Sequence, residues 1–206
     1  MTKTTQPTAT KYPDFDAIVN GLLKSSRIER RRVAEADGLS SSSSMRATDA
    51  VHRAHFTVGF HGHRQTGKTH WAASHIDPTT MVVCSNTSYA ESMLDKATVL
   101  TGYDRNWLCR QITTARSIHL FLASEEAHRR PPRDPTEELV AIRRRMMRGE
   151  TKRFPPPEGG EPLMRVRRVI IDEFSLMNRS SGLTLEEIAR WSRAGGQVPE
   201  LIVIYA

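Results

Sequence analysis

The chain has 206 residues, 30 Lys plus Arg against 23 Asp plus Glu, and a formal net charge of +7, with a pI near 9.8 and a mean hydropathy of −0.49. That length suits one domain with a small appendage, and a hydrophobic content of 38% supplies a core. No apolar run approaches the roughly 18 residues of a membrane span, the N-terminal segment lacks the apolar stretch of a secretory leader, and Cys84 and Cys109 alone make no disulfide scaffold.

In chain order, Met1–Tyr12 is polar and reads as a tail. Asp14 is placed to cap a helix from Phe15 to about Ala36. Phe15, Ile18, Leu22 and Val33 suit one face of it, Arg27, Arg30, Arg31 and Arg32 the other, and Gly38 the end. Ser40–Ser44 is a linker, and a short helix is expected from about Met45 to His55. Phe56–His61 is a β-prone run that leads into a glycine-bearing turn. Lys68–His75 reads as helix, Met81–Cys84 as a buried strand and Ser88–Leu100 as helix. Trp107–Ile112 is expected as a strand and Arg116–Arg129 as a helix, broken by Pro131, Pro132 and Pro135. Thr136–Arg148 is a second, very basic helix, and Phe154–Pro162 is a proline-rich loop. Val166–Ile171 is a strand. Thr184 and Glu187 make a capping box for a helix to about Ala194, closed by Gly195. Leu201–Tyr205 is a last buried strand. Strands alternating with helices predict an α/β domain around a mostly parallel sheet.

The positive charge is local. Arg105 to Arg168 holds 15 Lys plus Arg and 8 Asp plus Glu, and the rest of the chain holds 15 of each. Such a concentration suits a polyanion such as DNA, although an ordinary solvated helical face would look the same. Few aromatic residues interleave with it, so stacking on single strands has little support. Histidines 52, 55, 61 and 63 cluster around the first strand without metal-ligand spacing.

Two segments carry chemistry. Gly62-His63-Arg64-Gln65-Thr66-Gly67-Lys68-Thr69 fits G-x-x-x-x-G-K-[ST] at every fixed position, between a β run and a helix. The glycines let backbone N–H groups turn inward on phosphate oxygens, and the helix N-terminus adds its dipole. The stretch Gly62–His70 is therefore the expected nucleotide cradle, with Lys68 on the β- and γ-phosphates and the Thr69 hydroxyl on Mg²⁺. About 100 residues later, Val169-Ile170-Ile171-Asp172-Glu173 is an apolar strand ending in two carboxylates. Asp172 is expected in the Mg²⁺ shell, and Glu173 as the base that activates water. Asn86, Thr87 and Ser88 sit where they could approach the nucleotide side of the sheet, but helix capping is the readier use for them.

Together these motifs resemble the P-loop NTPases of the additional-strand, catalytic-glutamate (ASCE) division, over Phe56 to Ala206. The resemblance implies a three-layer, RecA-like α/β domain with a mostly parallel five-stranded sheet at 56–206. Residues 1–55 would then form a basic N-terminal helical extension. It also implies a strand inserted between the P-loop strand and the Asp172 strand, for which Leu201–Tyr205 is the candidate. More narrowly, His63–Thr69 and Ile171-Asp172-Glu173-Phe174-Ser175 are similar to the P-loop and second motif of viral large terminase subunits, the DNA-packaging motors. That likeness implies ATP and Mg²⁺ as cofactors and Arg64 as a stabiliser of charge on the γ-phosphate. It implies double-stranded DNA as partner, a ring-forming homo-oligomer or a portal- or small-subunit-type partner, no membrane, and the cytoplasm of a host. In that family a coupling motif and a nuclease domain follow the last core strand. Neither is legible here, so an ATPase piece of a larger machine or a reduced relative is expected. The same motifs also resemble superfamily 1 and 2 helicases, which need a second RecA-like domain. A nucleotide-dependent switch with little turnover, a nucleic-acid-binding module with a subsidiary site, and a small-molecule kinase are the other readings.

Overall fold

The computed structural model describes residues 13–36, 56–61, 66–129, 166–194 and 198–205. The expected elements at 45–55 and 136–148, the loop at 154–162, and the closing glycines Gly38 and Gly195 lie outside the described residues.

Helix α1 spans Phe15–Ala36, and the Asp14 carboxylate accepts from the Ala17 amide at 3.0 Å, as a cap should. Strand β1 is Thr57–His61, α2 is Lys68–Ser74, β2 is Thr80–Cys84 and α3 is Thr87–Thr101. The predicted strand at Trp107–Ile112 is instead a helix, α4, at Arg105–Gln111. The Asp104 side chain caps it by accepting from the amides of Asn106 and Trp107. The strand comes one turn later, as β3 at Ile112–Thr114. Then follow α5 at Ala115–Arg129, β4 at Arg168–Ile171, α6 at Phe174–Ser181, α7 at Leu185–Ser192 and β5 at Glu200–Tyr205. Helix α6 has no counterpart in the sequence reading. The capping box on α7 forms as expected from Thr184 and Glu187.

The five strands make one sheet in the order β1-β5-β4-β2-β3, and every pairing is parallel. The last strand in sequence thus lies between the first and the fourth. Its Leu201, Ile202, Val203 and Ile204 are all fully buried, and such a side chain contributes about 2 kcal/mol through burial. A strand apolar on both faces belongs in the middle of a covered sheet.

Alternation along the strands divides the core into two layers. Val58, Phe60, Val82, Cys84, Ile170, Ile202 and Ile204 face α1, α2, α3 and α4. Met81, Val83, Val169, Ile171, Leu201 and Val203 face α5, α6 and α7. The result is a three-layer α/β arrangement around an all-parallel sheet.

Helix α1 shares this core. Its buried stripe is Phe15, Val19 and Leu23, spaced by four residues, which places them on one side of a helix. The expected stripe through Ile18 is displaced, since Ile18 is 41% exposed and Leu22 only partly buried. The Val33 side chain lies outside the described ones. The Phe15 ring sits 5.5 Å from that of Phe60 and 6.3 Å from that of Trp71. The Asp16 carboxylate accepts from Trp71 Nε1 at 2.8 Å and lies 2.8 Å from His75 Nε2. Arg27 and Arg30 of the basic face reach Glu200 at the start of β5.

Candidate functional site

The C-terminal ends of β1, β5 and β4 meet at one edge of the sheet. Strand β1 ends at His61, and α2 opens at Lys68, with Gly67 as its N-cap at φ 85° and ψ 8°. That left-handed conformation is one glycine adopts without a Cβ clash. Lys68 is buried and its Nζ donates to the Tyr205 carbonyl at the tip of β5, at 3.1 Å. The hydroxyl of the next residue, Thr69, lies close enough to the Asp172 carboxyl, at the tip of β4, to lower its pKa. Two motifs about 100 residues apart in sequence are therefore brought together at Thr69 and Asp172, with β5 between their strands.

Asp172 is 3% exposed. Its amide continues the sheet ladder by donating to the Val83 carbonyl at 3.1 Å. Burial raises the pKa of its carboxyl from the usual value to about 6. The Thr69 hydroxyl opposes that rise, the Glu173 charge adds to it, and Lys68 and Lys96 oppose it. Among the described residues, Asp172 Oδ1 has no hydrogen-bond partner, and neither has Glu173 Oε2. Glu173 caps α6 at φ 52° and ψ 47°, the only non-glycine residue at positive φ among those described. Its carbonyl accepts from the amides of Leu176 and Met177, so the helix starts directly behind the carboxylate. Backbone held in this region persists only where the surroundings enforce it, and it concentrates at functional sites.

Aromatic rings close this edge. The Tyr205 ring stacks on His61 at 4.6 Å and meets Phe174 edge-on at 5.8 Å. Gly59 makes room for it, since a Cβ there would come within 2.8 Å of the Tyr205 ring.

Of the expected site residues, Gly62, His63, Arg64 and Gln65 lie outside the described residues. Thr66, Gly67, Lys68 and Thr69 lie at the start of α2, and Asp172 and Glu173 lie opposite them. His70 is exposed on α2. Asn86 serves as a helix cap: its side chain caps α3 by accepting from the Tyr89 amide at 3.1 Å. In the basic stretch, Arg105 pairs with Glu91 and Asp95, while residues 130–165 lie outside the described residues. The sequence reading missed Tyr205 and the tip of β2. A carbonyl has no sequence signature, and the nearness of Cys84 to Asp172 depends on which strands pair. Burial drives the Cys84 thiol far above its usual range, and the Asp172 and Glu173 charges add to that.

The donor set has a chemical character. Among the described residues, no group of three or more His, Cys, Asp or Glu gathers to hold a metal. One buried carboxylate oxygen without a partner, beside one threonine hydroxyl, suits Mg²⁺, which keeps waters and takes phosphate oxygens as its other ligands.

No protein-family model matches the chain, and neither a curated protein nor a solved structure matches it. No helix among the described residues is long and apolar enough to cross a membrane.

Proposed function

We propose that the protein is a Mg²⁺-dependent ATPase of the P-loop type, ASCE division, working on DNA as the motor part of a terminase-like packaging machine. The observation that carries the nucleotide reading is the nearness of the Thr69 hydroxyl to buried Asp172, beside buried Lys68. A threonine following Gly-Lys and an aspartate ending an apolar strand have little reason to meet unless they serve one centre. The position of β5 between β1 and β4 supports the division.

In this reading Lys68 leaves the Tyr205 carbonyl for the phosphates, where its charge offsets that developing on the γ-phosphoryl group. Thr69 and Asp172 would hold Mg²⁺, which when bound neutralises charge on the phosphate oxygens. Glu173 takes a proton from water as the water oxygen bonds to γ-phosphorus and the bond to the ADP oxygen breaks. Arg64 would add positive charge at the γ-phosphate. DNA as the partner draws on the 15 Lys plus Arg against 8 Asp plus Glu between Arg105 and Arg168. A ring of copies, or a portal- or small-subunit-type partner, would complete the machine.

The test is Mg²⁺-ATP hydrolysis by the wild type, Lys68→Ala and Glu173→Ala, each with and without double-stranded DNA. Turnover that DNA stimulates and both substitutions abolish is the expected result. Tight ATP binding without turnover in either condition would replace the motor with a nucleotide-dependent switch. No ATP binding at all would overturn the nucleotide reading.

A further inference from the structure

Tyr205 ends β5, and its ring makes more of this edge than its carbonyl does. The register of β1 and β5 sets Tyr205 opposite His61. Side chains at paired positions stand on the same face of a sheet, and the two rings stack at 4.6 Å with 18° between their planes. The tyrosine ring leans back along β1 over Gly59, where an added Cβ would come within 2.8 Å of it. The Phe174 ring meets it edge-on, at 5.8 Å and 89°, an arrangement that aromatic pairs favour.

The two residues that this ring touches flank the two motifs. His61 directly precedes Gly62, where the expected phosphate cradle begins. Phe174 directly follows Glu173 and is the first residue of α6. The β1–β5 ladder holds His61 in place. Glu173 has no such support, because it lies past the end of β4 in left-handed backbone. The contact of Phe174 with Tyr205 ties the start of α6, and so Glu173, to the tip of β5. The carbonyl of the same Tyr205 receives Lys68 Nζ at 3.1 Å.

We propose that Tyr205 is a positioning residue for Glu173. Its ring, seated on His61 and Gly59, fixes the start of α6 through Phe174 and thereby sets how far the Glu173 carboxylate stands from the cradle. The ring touches no reacting atom and moves no proton. This role rests on the ATPase reading and adds to it the side chain that spaces the base from the γ-phosphate. A base displaced by a fraction of an ångström slows the chemical step, whereas the cradle that binds the nucleotide keeps its own support in β1 and α2.

The test is steady-state Mg²⁺-ATP hydrolysis by the full chain, with and without double-stranded DNA. The variants are Tyr205→Leu, Tyr205→Phe, Gly59→Ala and the double Gly59→Ala with Tyr205→Leu. Tyr205→Leu should lower kcat about tenfold with KM changed less than about twofold, and Tyr205→Phe should stay within about twofold of wild type in both. Gly59→Ala pushes the ring without removing it. It should lower kcat about threefold on its own and have almost no further effect once Tyr205→Leu has taken the ring away. A fall in kcat that Tyr205→Phe shares, a change confined to KM, or losses that multiply in the double variant would each overturn the role. Should Tyr205→Leu not fold, Gly59→Ala still decides, since an unchanged kcat there overturns it. An active wild type with an equally active Tyr205→Leu defeats the positioning role alone. A wild type that hydrolyses no ATP with or without DNA defeats the ATPase reading, and the role with it.

Discussion

The two ends of the sheet handle their carboxylates in opposite ways. At the N-terminal ends of the strands, Glu200 accepts from Arg27 twice at 2.8 Å and from Arg30 at 3.1 Å. Asp77, just before β2, accepts from the Thr79 amide at 2.7 Å and from its hydroxyl at 2.8 Å. Burial pushes both carboxyls up, but these donors outweigh it and hold both below the usual range. At the C-terminal ends burial wins, and Asp172 rises to about 6. There Asp172, Glu173 and Ser85 each keep an oxygen without a partner among the described residues. At the N-terminal end the two carboxylates are satisfied within the protein. The other end keeps unused acceptor capacity among the described residues, at the edge where open parallel sheets commonly bind ligands.

Substitutions at the two ends should therefore separate activity from stability. The largest effect is expected from Glu173→Gln, which should lower kcat for ATP by about 10²–10³. Its melting temperature should stay within about 2 °C of wild type, because the amide keeps an acceptor oxygen. A large loss of stability with little change in rate would make Glu173 a structural residue and erase the contrast.

Phe15→Ala comes next. It empties the contact of α1 with Phe60 and Trp71 and should destabilise the fold by about 3 kcal/mol in chemical denaturation. Because α1 also carries Arg27 and Arg30, it should loosen the satisfied end too, so a later Glu200 substitution in that background should matter less. Full additivity would mean that the aromatic contact and the ion pairs are independent.

Asp172→Asn should act in the opposite direction. An acid whose folded pKa is raised weakens the fold when ionised, and that effect is fully present above about pH 6. It fades as the pH falls toward the unfolded value of 3.8. The neutral amide should raise stability by roughly 2 kcal/mol at pH 7.5, with the gain shrinking toward pH 4. Melting curves at both pH values would show this, and a gain independent of pH would contradict it. Affinity for Mg²⁺-ATP should fall in the same variant.

The smallest effect is expected from Glu200→Gln. A depressed carboxyl contributes stability that is present above its unfolded pKa, 4.5 for a glutamate, and lost as the pH falls through its lower folded value. The variant should lose about 1 kcal/mol at neutral pH and progressively less as the pH falls below 4.5, with ATP turnover intact. A loss of turnover instead would tie the N-terminal end to function.

Local signals were legible wherever they were dense. The glycine-lysine-threonine segment, the apolar strand ending in Asp172 and Glu173, the Asp14 cap and the Thr184–Glu187 capping box are all short-range patterns. Each one names its own geometry. Trp107–Ile112 was misread because Trp107 and Ile112, at its two ends, favour strands in isolation. The Asp104 cap, and burial of Leu108 and Gln111 on one side, made the segment a helix instead. Helix α1 was found with its full length but with the wrong stripe, since an apolar residue such as Ile18 can satisfy either face until a partner surface exists.

The sequence by itself pointed to the residues suited to phosphate and metal chemistry, and determined that the fold alternates strand and helix. Those properties follow from residue type and near neighbours. Only the tertiary structure decided that β5 lies between β1 and β4 and that Thr69 comes close to Asp172. Each of these joins residues far apart in the chain. Such pairings are settled by which apolar faces bury one another, and no local pattern encodes that choice.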